Sequence, residues 1–225
     1  PLPLAVDTNM NAPSGGSLLA KAYLSTREYS QRLSSPLEND DYNLQAMAST
    51  SPVKWHLAHT SWFFETFVLK PYSSDYRVFH PQFEYLFNSY YNGVGNQYPR
   101  DKRGLLSRPS VEEVYRYREY IDTAMLQLLN SMPTKFEAEI TQRTELGCHH
   151  EQQHQELLIT DLKFCWGQNP LQPSYSDESL PTTIAPAPVQ WQSFESQLHE
   201  IGHIENDGFC FDNELPRHKQ YVAGF

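Results

Sequence analysis

The stretch SPVKWHLAHTSWFFETFVL, residues 51–69, predicts a helix that is buried on nearly every side. Ser51 is a typical helix cap, and Pro52 suits the first turn because that position needs no backbone N–H donor. From there to Leu69 the sequence is rich in Trp, Phe and Leu. A helix that lacks a continuous polar face must be surrounded by other elements. We therefore expect this segment to lie at the centre of a helical protein.

The flanking sequence predicts three more long helices, over residues 17–33, 110–132 and 136–166. Ser110 followed by Glu113 forms a capping box at the start of the second of these. The third is interrupted only by Gly147 and ends at a Gly-Gln-Asn-Pro stop signal. Residues 71–109 predict a long ordered loop with a short helix at 83–91. Four long helices joined by such crossovers predict a four-helix bundle.

A change in composition separates the predicted bundle from the C-terminal part of the chain. Residues 169–188 are rich in Pro, Ser and Thr, as is typical of a linker. Short segments at 189–194 and 208–211, bounded by Gly, Asp and Asn, predict strands. We therefore divide the chain into a bundle, a linker and the start of an α+β domain, over residues 1–168, 169–188 and 189–225. Because the chain begins at Pro1 without a Met and stops within the strand-rich part, we expect it to be a fragment.

The composition favours small-molecule chemistry inside the cell. A formal net charge of −10 argues against a nucleic-acid partner, since phosphate neutralisation requires clustered Lys and Arg. No run approaches the roughly 20 apolar residues of a membrane span, and no charged-then-apolar leader opens the chain. Cys148, Cys165 and Cys210 are scattered without CxxC spacing, so neither a disulfide framework nor a zinc knuckle is indicated. We expect a cytoplasmic protein without a membrane partner.

Two histidines predict a metal site. His150 and His154 stand four residues apart on a predicted helix, so their imidazoles project from one face. With Glu151 they satisfy the HExxH pattern of zinc proteases, but Glu151 points about 100° away around the helix. It is better interpreted as a solvated group or a neighbour of the ligands than as a general base. His56 and His59 of the buried helix offer a third ligand. Three neutral imidazoles suit zinc or iron(II), and the spacing does not choose between them.

Four motifs resemble the sulfoxide synthases of ergothioneine biosynthesis. They are SPVKWHLAHTSWFFE at 51–65, FNSYY at 87–91, GLLSRPS at 104–110 and HEQQHQE at 150–156. The resemblance spans about residues 41–225. It implies a DinB-like helical bundle followed by a domain similar to formylglycine-generating enzymes, which has a C-type-lectin-like fold. Residues 200–203 and 209–218 look like the opening of that second domain.

The resemblance also implies a metal and a reaction. The implied iron(II) ligands are His59, His150 and His154. This choice favours His59 over His56. The implied reaction uses O2 to join hercynine, the trimethylated form of histidine, to cysteine or γ-glutamylcysteine, and it forms a C–S bond and a sulfoxide.

Substrate contacts are implied as well. Gln153 matches a position that contacts the imidazole of hercynine. Arg100 and Arg103 resemble the arginines that hold the amino-acid carboxylate of the thiol donor, a role that suits the bidentate guanidinium. The catalytic tyrosine is implied to lie beyond Phe225, so no catalytic residue is assigned within this chain. We expect this chain alone to bind metal and to have little synthase activity.

The sequence leaves three alternatives open. The histidine–cysteine sulfoxide synthase of ovothiol biosynthesis shares the motif of the buried helix but accepts unmethylated histidine. A zinc-dependent DinB-like hydrolase or thiol transferase would use the same three histidines. A bundle that only sequesters metal would leave no coordination position open for a substrate.

Overall fold

The computed structural model describes residues 18–91, 93–176, 186–205 and 207–225. The protein is mainly helical and contains a two-stranded antiparallel sheet, which confirms the predicted predominance of helix. It divides into two compact units, Pro1–Ser176 and Asp177–Phe225. Within the described ranges, no helix is long and apolar enough to cross a membrane.

Over its described residues, the first unit has four long helices and two short ones. They are α1 (Leu18–Ser34), α2 (Val53–Phe64), α3 (Lys70–Tyr72), α4 (Phe83–Phe87), α5 (Val111–Asn130) and α6 (Glu137–Gly167). A π-helical turn, Glu65–Leu69, continues α2, and short 3-10 helices lie at Asp41–Asn43, Arg100–Leu105 and Thr134–Phe136. The predicted long helices are all present, with ends shifted by a few residues. The short helix expected at 83–91 is α4, which ends earlier.

The helix α2 lies at the centre of the first unit, as its sequence predicts. All twelve of its residues are buried, and it packs against α4, α5 and α6. The ring of Tyr23 from α1 meets Phe64 edge-on, with centroids 4.9 Å apart. Full burial of a large apolar side chain contributes about 1.5–3 kcal/mol, so this helix supplies much of the stability of the unit. Its burial also carries the histidines of α2 into the interior.

The long helix α6 runs unbroken through Gly147, where the sequence had predicted an interruption. A Cβ atom at this position would overlap Cε1 of Phe64 and would lie 3.1 Å from Cε1 of Phe63. The glycine is therefore a contact point between α2 and α6. It sits one turn before His150, so this close approach sets the spacing between the histidines of the two helices.

A buried group of charged side chains joins α1, α5 and α6. Glu151 accepts hydrogen bonds from Arg27 at 2.8 Å and from Arg118 at 3.0 Å. Ser30 donates a third at 2.6 Å. Arg27 also donates to Asp122 at 2.7 Å, so two carboxylates balance two guanidinium groups. The expectation of a solvated Glu151 was therefore wrong, because helices distant in sequence bring cations over it.

The second unit contains strands β1 (Gln197–Ile201) and β2 (His218–Val222), which pair antiparallel with Gln197 opposite Val222. Phe194 and Phe225 extend the same register, because their backbones exchange hydrogen bonds of 2.8 and 3.1 Å. Their rings stack with centroids 5.1 Å apart. A 3-10 turn, Asp212–Glu214, lies between the strands. None of the described residues after 185 is buried.

The strands predicted at 189–194 and 208–211 were wrong, since the structure has no strand at either segment. Those segments were predicted from the Gly, Asp and Asn residues that bound them. A strand, however, is defined by a backbone partner, and the partners here are polar segments that meet across a loop. Of the predicted linker at 169–188, residues 177–185 lie outside the described residues. The predicted helix start at residue 17 lies outside them too.

Candidate metal centre

Three histidines from two helices converge in the interior of the first unit. His59 comes from α2, and His150 and His154 lie one turn apart on α6. One ring nitrogen of each lies within 4.8 Å of those of the other two. The Nε2 atoms of His59 and His150 are 3.2 Å apart. This three-histidine group can hold a metal ion, and its donors are all imidazole nitrogens.

Burial favours the neutral form of each imidazole in the group. It lowers the pKa of His150 to about 4. It also holds the pKa of His59 and of His154 well below the usual range, and repulsion between the neighbouring rings adds to this effect. A histidine binds metal through a deprotonated nitrogen. The three rings are therefore in the metal-binding protonation state at neutral pH.

Hydrogen bonds determine which nitrogen of His59 faces the other rings. Its Nδ1 lies 2.6 Å from the backbone carbonyl oxygen of Phe87, which can only accept a hydrogen bond. Nδ1 therefore carries the proton, and the lone pair is on Nε2. The Nε2 atom of His150 faces the Nε2 atom of His59. The buried Nδ1 atom of His150 has no hydrogen-bond partner among the described residues. The ring of Phe63 stacks on His150 at 4.6 Å and closes that side.

His56, the other candidate on α2, lies beside the three-histidine group rather than in it. Its Nδ1 is 2.9 Å from Nδ1 of His154, and its Nε2 is 3.1 Å from Oδ2 of Asp161. The backbone N–H of Ser51 donates to the same carboxylate oxygen at 2.8 Å. Of the two histidines on α2, it is His59 that completes the group, as the resemblance implied.

Glu151, the acid of the HExxH pattern, cannot serve as a general base. Its carboxylate is occupied by Arg27, Arg118 and Ser30. Burial alone would raise its pKa, but the two arginines lower the pKa to about 2. A carboxylate so stabilised in its charged form is a poor proton acceptor. Glu151 is therefore not free to accept a proton from a metal-bound water, which is the role of this glutamate in a zinc protease.

Arg103 lies beside the three-histidine group, and Arg100 lies close enough to Arg103 for the two charges to repel; neither forms an ion pair with a carboxylate within the described part of the chain. The Arg103 guanidinium is 3.4 Å from the centre of the Trp55 ring, which in turn stacks against His59 at 4.6 Å. Arg103 also donates to two buried hydroxyl groups, and its Nε is unpartnered among the described residues. Burial and the charge of Arg100 lower the pKa of Arg103 to about 9. Two neighbouring cations without an ion-pair partner among the described residues favour a bound anion, although the carboxylate of Asp161 partly offsets the charge of Arg103.

Gln153 is exposed on α6, next to His154 in sequence. It stands three residues after His150, so the two side chains project from the same side of the helix. The structure leaves the side chain of Gln153 exposed on that side of the helix.

Several supporting residues were missed by the sequence reasoning. Trp55 and the carbonyl of Phe87 each contact His59, and Asp161 contacts His56. Asp161 could have been found from the sequence, because it follows His154 by seven residues and so lies two turns further along the same face of the helix. The role of the Phe87 carbonyl could not have been found from the sequence, since every residue supplies a backbone carbonyl. Its position is fixed by how α4 ends beside α2.

The fold and the site define a mainly helical protein with a buried three-histidine group that can hold a metal ion. No model of a known protein family matches the sequence, and no curated protein matches it. The resemblance to the sulfoxide synthases thus rests on the four motifs and stays a prediction.

Proposed function

We propose that this chain belongs to a non-haem iron(II) sulfoxide synthase that uses O2 to join hercynine to cysteine or γ-glutamylcysteine. The observation that carries the proposal is the convergence of His59, His150 and His154, with no carboxylate or thiol from the described residues in the group. In the reaction, a C–H and an S–H bond are replaced by a C–S bond, and the sulfur gains one oxygen atom. The four electrons released reduce O2, whose second oxygen atom leaves as water.

The residues present fit an iron(II) ion. Three neutral imidazoles would hold it and would leave positions open, as iron enzymes that bind O2 and substrate require. When bound, the metal would supply the redox chemistry with O2. The protein supplies apolar walls, because Trp62 stacks on His59 at 5.3 Å and Phe63 stacks on His150, and these rings shield one face of each imidazole from water.

Arg103 and Arg100 support an amino-acid thiol as one substrate. Both guanidinium groups retain a buried Nε without a partner among the described residues, so each has hydrogen-bonding capacity left for a ligand. A planar carboxylate matches the guanidinium fork and would supply the missing counter-charge. We assign them to the carboxylate of the thiol donor, and we assign Gln153 to the hercynine side of the site.

The finer architecture belongs to the same proposal. We assign the first unit to the DinB-like helical bundles and the second to the start of a formylglycine-generating-enzyme-like domain. We also place the protein in the reducing cytosol, a location with which the free thiols of Cys148, Cys165 and Cys210 agree.

Calorimetric titration of cysteine into the anaerobic iron(II)-loaded chain tests the assignment of the thiol site. We expect binding that requires the metal and that Arg103→Lys weakens by about tenfold, because lysine lacks the bidentate fork. The control Arg116→Lys changes an exposed arginine on α5 and leaves binding unchanged. Equal cysteine affinity in Arg103→Lys and the wild type would show that Arg103 does not bind the carboxylate of cysteine.

Oxygen uptake separates the enzyme alternatives. This chain and a longer one that includes the region of the implied catalytic tyrosine are assayed with cysteine plus either hercynine or histidine, and His59→Ala is the control. Uptake that requires hercynine, is faster in the longer chain and is abolished by His59→Ala supports the proposal. A requirement for histidine would instead indicate the ovothiol enzyme. Stable zinc occupancy without uptake by either chain would indicate a zinc enzyme.

A further inference from the structure

His56 stands between an acid and a member of the three-histidine group. Its Nε2 lies 3.1 Å from Oδ2 of Asp161, and its Nδ1 lies 2.9 Å from Nδ1 of His154. His56 and Asp161 are both buried. The three residues therefore form a continuous hydrogen-bonded chain that leads from α6 through α2 and back to α6.

The carboxylate of Asp161 determines the direction of each hydrogen bond in this series. Oδ2 of Asp161 accepts from the backbone N–H of Ser51, which can only donate. An ionised carboxylate has no proton to donate, so His56 must donate to it from Nε2. A neutral His56 with its proton on Nε2 has a lone pair on Nδ1. His154 must then donate from its own Nδ1, which leaves the lone pair of His154 on Nε2.

We propose that His56, held by Asp161, is a positioning residue that selects the tautomer of His154 with Nε2 available to the metal. The arrangement parallels His59, whose Nδ1 donates to the carbonyl of Phe87. Two of the three rings thus have their metal-facing nitrogen set by a hydrogen bond to the opposite nitrogen, the usual way in which proteins orient histidine ligands. The inference rests on the metal site of the proposed function and does not depend on which metal or reaction it serves.

The two amide variants of His56 separate this role from packing. In His56→Asn the side-chain oxygen can occupy the place of Nδ1, so an acceptor for His154 is kept. In His56→Gln the amide reaches the place of Nε2, so the contact with Asp161 is kept and the acceptor for His154 is lost. We expect His56→Gln to weaken zinc and iron(II) binding by about 10- to 100-fold, and His56→Asn to remain close to the wild type. Affinities are measured by competition with a chromophoric chelator, anaerobically for iron(II).

Nitrogen-15 NMR of the metal-free protein reads the tautomer of His154 directly, in the wild type and in both variants. The inference predicts a protonated Nδ1 and an unprotonated Nε2 for His154, retained in His56→Asn and lost in His56→Gln. A protonated Nε2 on His154 in the wild type would overturn it, as would wild-type metal affinity in a folded His56→Gln. Because the spectrum is recorded without metal or substrate, failure of the proposed reaction in the oxygen assay would leave this result intact.

Discussion

Glu151 joins three helices through charge. Arg27 and Ser30 of α1 and Arg118 of α5 all donate to its carboxylate, which is fully buried. Buried charges of this kind are costly to leave unpaired, because the interior solvates them poorly. Glu151 therefore stabilises the helix packing that supports the three-histidine group, rather than the chemistry at the metal.

Removal of this charge should destabilise the protein strongly. We expect Glu151→Gln to lower the free energy of unfolding by about 3 kcal/mol, because Arg118 loses its carboxylate partner. Urea unfolding followed by circular dichroism measures the change. Glu156→Gln, at an exposed site on the same helix, serves as the control and should lie within about 0.5 kcal/mol of the wild type. Equal losses in the two variants would contradict the role of the buried group.

The contribution of Glu151 to the free energy of unfolding should also depend on pH. Its pKa falls from 4.5 to about 2 on folding, so the charged form is favoured in the folded state. The resulting stabilisation is present above pH 4.5 and is lost as the pH falls toward 2. The difference in unfolding free energy between the wild type and Glu151→Gln should therefore narrow over this interval. A difference that stays constant would show that the carboxylate charge is not responsible.

The sequence could predict some of these residues and not others. His150 and His154 were accessible because the helix repeat alone places them on one face. His59 was selected over His56 only by resemblance, since both residues are buried on α2. The partners of Glu151 were not accessible, because Arg27 and Arg118 reach it only after α1, α5 and α6 have packed.

Among the secondary-structure elements, the contact between α2 and α6 positions the three-histidine group. The two helices carry all three rings, and Gly147 lets them approach at the aromatic rings of Phe63 and Phe64. In contrast, the strand positions were mispredicted, since pairing of β1 with β2 is non-local. Helices were predictable from local periodicity and capping, as Ser110 and its capping box show.

A methyl group at Gly147 should disturb both stability and metal binding. Alanine favours a helix by about 1 kcal/mol over glycine, but the contact with Phe64 forces an overpacking cost of about 1–3 kcal/mol. We expect Gly147→Ala to lower the melting temperature and to weaken zinc binding. Gly167→Ala, at the end of α6 where a Cβ meets nothing within 4 Å, is the matched control and should do neither. Similar behaviour of the two variants would show that the close approach is not required.

Across the whole molecule, the two units differ in how much they bury. The first unit contains a continuous core of aromatic and aliphatic side chains around α2. The described residues of the second unit include no buried side chain, and large apolar groups such as Trp191 and Phe225 are exposed. Within the described residues, the second unit is held by the backbone pairing of β1 with β2, by the stacking of Phe194 with Phe225 and by exposed polar contacts such as Arg217 with Glu200.

Hydrogen exchange should report this difference. We expect the amides of α2 to exchange only by global unfolding, whereas those of β1 and β2 exchange through local opening at a much lower free energy. Mass spectrometry of peptides from a timed labelling series distinguishes the two units. Protection of β1 and β2 equal to that of α2 would show that the second unit has a source of stability beyond its strand pairing.

The proposed function requires that His59, His150 and His154 together hold an iron(II) ion. Anaerobic equilibrium dialysis of the chain against iron(II), followed by metal analysis, measures this occupancy. We expect one iron per chain in the wild type and in His80→Ala, which removes an exposed histidine of the same unit, and no measurable iron in His59→Ala. Equal iron occupancy in the wild type and His59→Ala, or none in the wild type, would show that the three-histidine group is not an iron site.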